Sequence, residues 1–250
     1  MTPLDVLALG VAGVAAGAIN TVVGSGSLIT FPTLLALGYA PVLANVTNTV
    51  GIFPGSVSGI VGYRRELRGA VGRAVRFGML STLGSIAGAF LLLQLPESAF
   101  DAIVPALILI ACVLVAVQPR LSGWLTARQR RGHQGGPLLW LGILLTGTYG
   151  GYFGAAQGVL LIALLTIFID DDLQRLNALK NVLAGVANGV AAVVFILISE
   201  VAWGAAASLA VGAIIGGQLG ATVGRRLPPP IYRTTIVLVG VVAAVVLILT

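Results

Sequence analysis

VLALGVAGVAAGAINTVVGSGSLITFPTLLALGYAPVLANVTNTVGIFPGSVSGIVGY, residues 6–63, contains no Asp, Glu, Lys or Arg. Six more uncharged runs follow, at 77–96, 102–119, 132–169, 181–199, 201–224 and 234–250. A helix crosses bilayer hydrocarbon with about 20 apolar residues, whereas a barrel strand alternates over about 10. These runs are continuous in Val, Leu, Ala, Ile and Gly, so they predict an all-α, polytopic membrane helix bundle. The whole chain agrees: 250 residues, 58% hydrophobic and only 9% charged, with a mean hydropathy of +1.05. A soluble domain carries about 25% charged residues. A soluble enzyme, a secreted disulfide scaffold and a disordered chain are thereby excluded.

The charges lie between the apolar runs and give the topology, because cytoplasmic loops retain Lys and Arg. Three linkers are basic: Arg64, Arg65, Arg68, Arg73 and Arg76; then Arg120, Arg128, Arg130 and Arg131; then Arg225, Arg226 and Arg233. With Arg175 they hold every cation except Lys180. The linkers around Glu97 and Asp101 and around Glu200 have no cation and read as the outer side. The net charge of +6 therefore reflects loop placement, and no water-exposed basic face suggests nucleic acid. The start, Met1-Thr-Pro-Leu-Asp5, lacks the basic region of a signal peptide, which predicts a retained first span. Cys112 sits inside an apolar run and reads as core.

Parity then asks for an even number of crossings in 132–169, since Arg131 and Arg175 both read as inside. Residues 137–169 hold one full helix plus a piece of about a dozen residues, too short at 1.5 Å per residue for a core ~30 Å thick. Each such unit is expected to be a broken or re-entrant hairpin. The breaks fall at Gly24-Ser25-Gly26-Ser27 and at Gly154-Ala155-Ala156-Gln157-Gly158, with Gly24, Gly26, Gly154 and Gly158 as hinges. An internal repeat at a shift of 132 places Gly26 on Gly158, Leu28 on Leu160, Asn45 on Asn177, Val50 on Val182, Gly72 on Gly204, Gly84 on Gly216, Gly88 on Gly220 and Leu95-Pro96 on Leu227-Pro228. Each half has an odd number of crossings, so the second is inverted relative to the first, the plan of secondary transporters with a midplane site at discontinuous helices. The expected parts are a first half, 1–119, a cytoplasmic linker, 120–136, and a second half, 137–250. They hold about eight full spans and two short ones, with both termini outside. Gly212, Gly216, Gly220 and Gly224, like Gly84 and Gly88, read as helix-packing faces.

Polar residues recur at helical spacing after each break: Asn45, Asn48 and Thr49, then Asn177, Lys180 and Asn181. The repeat lays Asn48 on Lys180 and Thr49 on Asn181. A charge at the bilayer centre costs about 2.5–3.5 kcal/mol even on the lenient insertion scale. Lys180 either marks a pathway or snorkels past Asp172 and Arg175 to the interface; the flanking amides favour the pathway. Helices starting beside the breaks would aim free N–H groups at the midplane and favour an anion. Ser25, Ser27 and Gln157 in the breaks, and Asn20 four residues before the first, would add neutral donors. His133, beside Arg130 and Arg131, reads as a loop residue. Asp170, Asp171 and Asp172 read as containing a helix N-cap. No metal site, cofactor motif, Walker motif or hydrolase elbow appears, so the chain does not read as an enzyme.

GAINTVVGSGSLITFP (17–32), LANVTNT (43–49) and the exit GYRR (62–65) resemble the TauE/SafE sulfite-exporter family of bacterial membrane proteins. The resemblance implies transport of sulfite, a sulfonate or a related small organosulfur or organic anion across the bacterial cytoplasmic membrane, frequently as export. Ala155, Ala156 and Gln157 stand where relatives carry glycines. The expected function is a secondary transporter working by alternating access. Its partners are a small anionic substrate and the lipid bilayer, with no bound cofactor. Proton or Na⁺ coupling and any oligomeric state fit these residues equally. A passive anion channel and a non-transporting scaffold or assembly subunit are the alternatives.

Overall fold

In the computed structural model, residues 1–128 and 135–223, with Leu238 and Val241 beyond them, are described. They form α1 (Pro3–Val22), α2 (Ser27–Ala36), α3 (Pro41–Gly62), α4 (Val71–Gln94), α5 (Glu97–Arg128), α6 (Pro137–Tyr152), α7 (Gln157–Phe168), α8 (Leu173–Ile198) and α9 (Trp203–Thr222). His133, Gly224, the repeat match at Leu227-Pro228 and, but for Leu238 and Val241, the run at 234–250 lie outside the described residues.

Local chemistry sets the helix starts. Thr2 and Asp5 form a reciprocal capping box at α1. Pro3, Pro41 and Pro137 stand in the first turn, where a missing N–H costs nothing. Asp172 caps α8 by accepting from the N–H groups of Gln174 and Arg175, the role expected within the acidic triplet. Asp171 also joins Arg73 of α4 at 2.9 Å and Arg175 at 3.5 Å, which ties the amino ends of α4 and α8 together.

Among the described residues, five helices are long and apolar enough to cross a membrane: α1, α4, the 97–118 part of α5, α8 and α9. Large apolar side chains such as Met79, Leu83, Val113, Leu197 and Val211 stand exposed along them, as a lipid-facing surface requires. α3 has 22 residues but spends Asn45, Thr47, Asn48, Thr49, Ser56 and Ser58 on its buried face. α6 has 16 residues, and α2 and α7 only 10 and 12. α5 runs on past Pro119 to Arg128, so the stretch expected to open a linker at 120 continues as helix.

α1 packs on α9 and α6 on α4; α3 packs on α9 and α8 on α4; α3 and α8 meet directly. Glycine makes the first two contacts close. Added Cβ atoms at Gly212, Gly216 and Gly220 would collide with the carbonyls of Gly10, Val14 and Ala18, and at Gly84 and Gly88 with those of Leu144 and Thr148. In α4, Ser81 and Ser85 donate to the carbonyls of Leu183 and Ala187 in α8, at 2.9 and 2.6 Å.

The single shift of 132 needs correcting. It relates the starts of α3 and α8 and of α4 and α9, but α1 and α6 end, and α2 and α7 begin, 130 residues apart. α7 is two residues longer than α2 and absorbs the difference. Gly24 therefore corresponds to Gly154, and Gly26 to Ala156 rather than to Gly158.

Candidate functional site

Both glycine clusters interrupt a helix. After α1, the N–H groups of Val23 and Gly24 both bond to the Ile19 carbonyl, and Gly24 has φ +88°. After α6, those of Phe153 and Gly154 both bond to the Tyr149 carbonyl, and Gly154 has φ +74°. A left-handed residue at the same point stops each helix, and glycine adopts it without cost from a Cβ. The two breaks touch: Gly158 N–H donates to the Gly24 carbonyl at 3.0 Å. A Cβ on either glycine would strike the other's backbone.

Side chains from α8 and α3 reach the two broken ends. Lys180 is 1% exposed, and its Nζ donates to the Thr21 carbonyl at 3.3 Å. Asn181 Nδ2 donates to the same oxygen at 3.2 Å. A cation thus meets the negative end of α1. Asn45 Nδ2 donates to the Tyr152 carbonyl at the end of α6, at 2.9 Å. The polar helix α8 thus answers the end of α1, and α3 that of α6.

The remaining candidates divide. Asn48 accepts from Thr30 Oγ1 and donates to Ser27 Oγ at 3.2 Å, which fixes α2 to α3. Gln157 opens α7 and donates back to the Thr146 carbonyl at 3.2 Å. Thr49 donates to the Asn45 carbonyl of its own helix, and Asn177 is half-buried. Asn20, next to Thr21, donates to Ser56 Oγ at 3.3 Å, an oxygen that also receives Asn188 Nδ2 at 3.5 Å. Ser25 Oγ, Asn45 Oδ1 and the Tyr152 hydroxyl are buried and have no hydrogen-bond partner among the described residues.

The N–H groups at the two helix starts differ. At α7 they are spent: Gln157 bonds to Gly154, Gly158 to Gly24, and Val159 and Leu160 to Ala156. At α2, Leu28 bonds to Ser25, and Ile29 and Thr30 to Gly26, while the N–H groups of Gly26 and Ser27 have no partner among the described residues. Among the described residues no group of three or more His, Cys, Asp or Glu could hold a metal ion.

Thr21, Thr30, Ser56, Tyr152 and Asn188 were not singled out from sequence. Thr21 and Tyr152 act through main-chain carbonyls, which carry no residue signature. Ser56 and Asn188 stand 132 apart, so the repeat shift itself could have paired them.

A family model described as "Sulfite exporter TauE/SafE" matches residues 9–247. The chain belongs to the TauE/SafE family. Among its relatives, the probable membrane transporter protein YfcA of Escherichia coli (strain K12) is 27% identical over 228 residues, covering 91% of this chain and 83% of the relative. A probable membrane transporter protein of Haemophilus influenzae is 28% identical over 223 residues, covering 87% and 85%. The probable membrane transporter protein ORF9 of Sinorhizobium sp is 26% identical over 238 residues, covering 94% and 89%. No solved structure matches the chain. Family membership and the five long apolar helices make this TauE/SafE protein a multi-pass membrane transporter.

Proposed function

We propose that the protein is a secondary transporter that moves a small anion, sulfite, a sulfonate or a related organosulfur or organic anion, out of the cell by alternating access. Residues 1–119 and 137–250 are its two inverted halves. The exchanged packing supports this, since α1 rests on α9 as α6 rests on α4, and α3 on α9 as α8 on α4. α2 and α7, about 15 and 18 Å long at 1.5 Å per residue, return to the side from which α1 and α6 enter. The breaks between them meet at the middle of the bilayer, where the anion binds.

The observation that carries this reading is Lys180. Its ammonium is fully buried and its one hydrogen bond among the described residues goes to a carbonyl, while the ion pairs formed by Asp171 lie elsewhere. An ammonium has three donors, so two remain for an anion that would also balance the charge. Asn181 lies beside it; Gln157, Asn177 and Asn20 extend the polar surface, and Ser25, Ser27, Asn45, Asn48 and Thr49 face it from the first half.

The test is counterflow of labelled sulfite and a panel of sulfonates in proteoliposomes, wild type against Lys180→Gln. Saturable counterflow that the substitution abolishes supports the transporter. Linear flux without counterflow identifies a channel. Lack of anion flux in the wild type, with oligomers or stability disturbed in the variant, identifies a scaffold.

A further inference from the structure

The ends of α1 and α6 present the same partial negative charge and are answered differently. A helix concentrates about half an elementary charge on its last carbonyls. At α1 the Thr21 carbonyl receives an ammonium and an amide, from Lys180 and Asn181. At α6 the Tyr152 carbonyl receives an amide alone, from Asn45. The residue 132 positions before Lys180 is Asn48, an amide already committed to Thr30 and Ser27.

Asn45 is 1% exposed. A carbonyl can only accept, so the amide nitrogen must be the atom facing Tyr152, and this fixes the other end of the side chain. Asn45 Oδ1 is left as a buried acceptor with no donor among the described residues. Ser25 Oγ, likewise without a partner, is two residues ahead of the Ser27 hydroxyl that holds Asn48. The Tyr152 carbonyl thus meets an amide and no cation among the described residues.

We infer that the end of α6 binds a monovalent alkali cation of the size of Na⁺, in the place that the ammonium takes at the end of α1, with Asn45 Oδ1 as its side-chain ligand beside the Tyr152 carbonyl. Carbonyl-type oxygens suit a hard cation. Divalent sites draw on carboxylates, and among the described residues no group of three or more His, Cys, Asp or Glu could hold a metal ion. Carbonyls at the ends of discontinuous helices are established ligands for such ions. That the ion drives anion flux rests on the transporter reading above; that it binds does not.

Thermal unfolding of the purified protein in detergent is compared in NaCl, KCl and choline chloride at equal concentration, together with equilibrium dialysis of radiolabelled Na⁺. Na⁺ is expected to raise the melting temperature saturably and to bind as a single equivalent. Asn45→Ala should remove both effects. Asn48→Lys, which supplies a fixed ammonium, should make the melting temperature indifferent to Na⁺. Equal wild-type melting in all three salts with no bound Na⁺ overturns the inference, whether or not the variants fold. If counterflow persists in that case, the transporter reading stands alone; if Na⁺ binds but no anion moves, the site stands and the transporter reading fails.

Discussion

Replacing Lys180 by Met separates a functional ammonium from a structural cap. Methionine keeps much of the length and removes the charge. Two opposing magnitudes decide the outcome. The buried charge costs about 2.5–3.5 kcal/mol on the insertion scale. Its bond to the Thr21 carbonyl, a bond from a charged donor, contributes about 1.5–3 kcal/mol. The carbonyl is not orphaned by the change, because Asn181 Nδ2 remains 3.2 Å away. The expected stability change lies between a loss of about 0.5 and a gain of about 2 kcal/mol. For a chain of this size that is a melting temperature unchanged or raised by a few degrees, at about 2–4 °C per kcal/mol. Labelled-sulfite counterflow in the same preparation should disappear. A melting temperature lowered by about 5 °C or more, with counterflow retained by the folded fraction, would refute the reasoning and make Lys180 a structural cap.

Gly24→Ala should destabilise by about 2–5 kcal/mol, combining the left-handed cost with crowding against Gly158. Gly38 has a similar φ of +86° but open space around it, so Gly38→Ala should lose only about 1–2 kcal/mol; thermal melts of the pair measure the collision by itself. Ser85→Ala removes a 2.6 Å bond between α4 and α8 and should cost about 0.6 kcal/mol, the average for such bonds in membrane bundles, again read from melting. Cys112 is 3% exposed, so a maleimide reagent should label it only after denaturation, with the extent of labelling followed by mass spectrometry.

The helical architecture was legible because backbone in hydrocarbon must be paired in helices or closed barrels, and the long, continuous apolar runs do not alternate as barrel strands do. The breaks were legible too, since Gly24 and Gly154 sit where the chain takes a left-handed turn. Their pairing was not. A two-residue lengthening of α7 leaves Gly26 and Gly158 matched by identity while the backbone matches Gly24 to Gly154, and identity cannot register an insertion inside an apolar run. The polar residues of α3 and α8 could be placed on faces by spacing, but their partners could not. Lys180 and Asn181 meet the carbonyl of Thr21, and Asn45 that of Tyr152, and main-chain oxygen looks the same under every side chain. The spending of N–H donors at the start of α7 was not legible for a related reason: turn bonds within the break depend on the path of the chain, which composition does not specify.

The exchanged packing of α1 on α9 and α6 on α4 also bears on biosynthesis. About 180 residues separate the end of α1 from the start of α9, so at about 5–20 residues per second the first helix waits roughly ten to forty seconds for its neighbour. During that delay the glycine-lined surface of α1 and the buried amides of α3 face lipid or an insertase. A nascent chain released before α9 would leave that seam open, so quality control in the membrane has a late, well-defined event to detect.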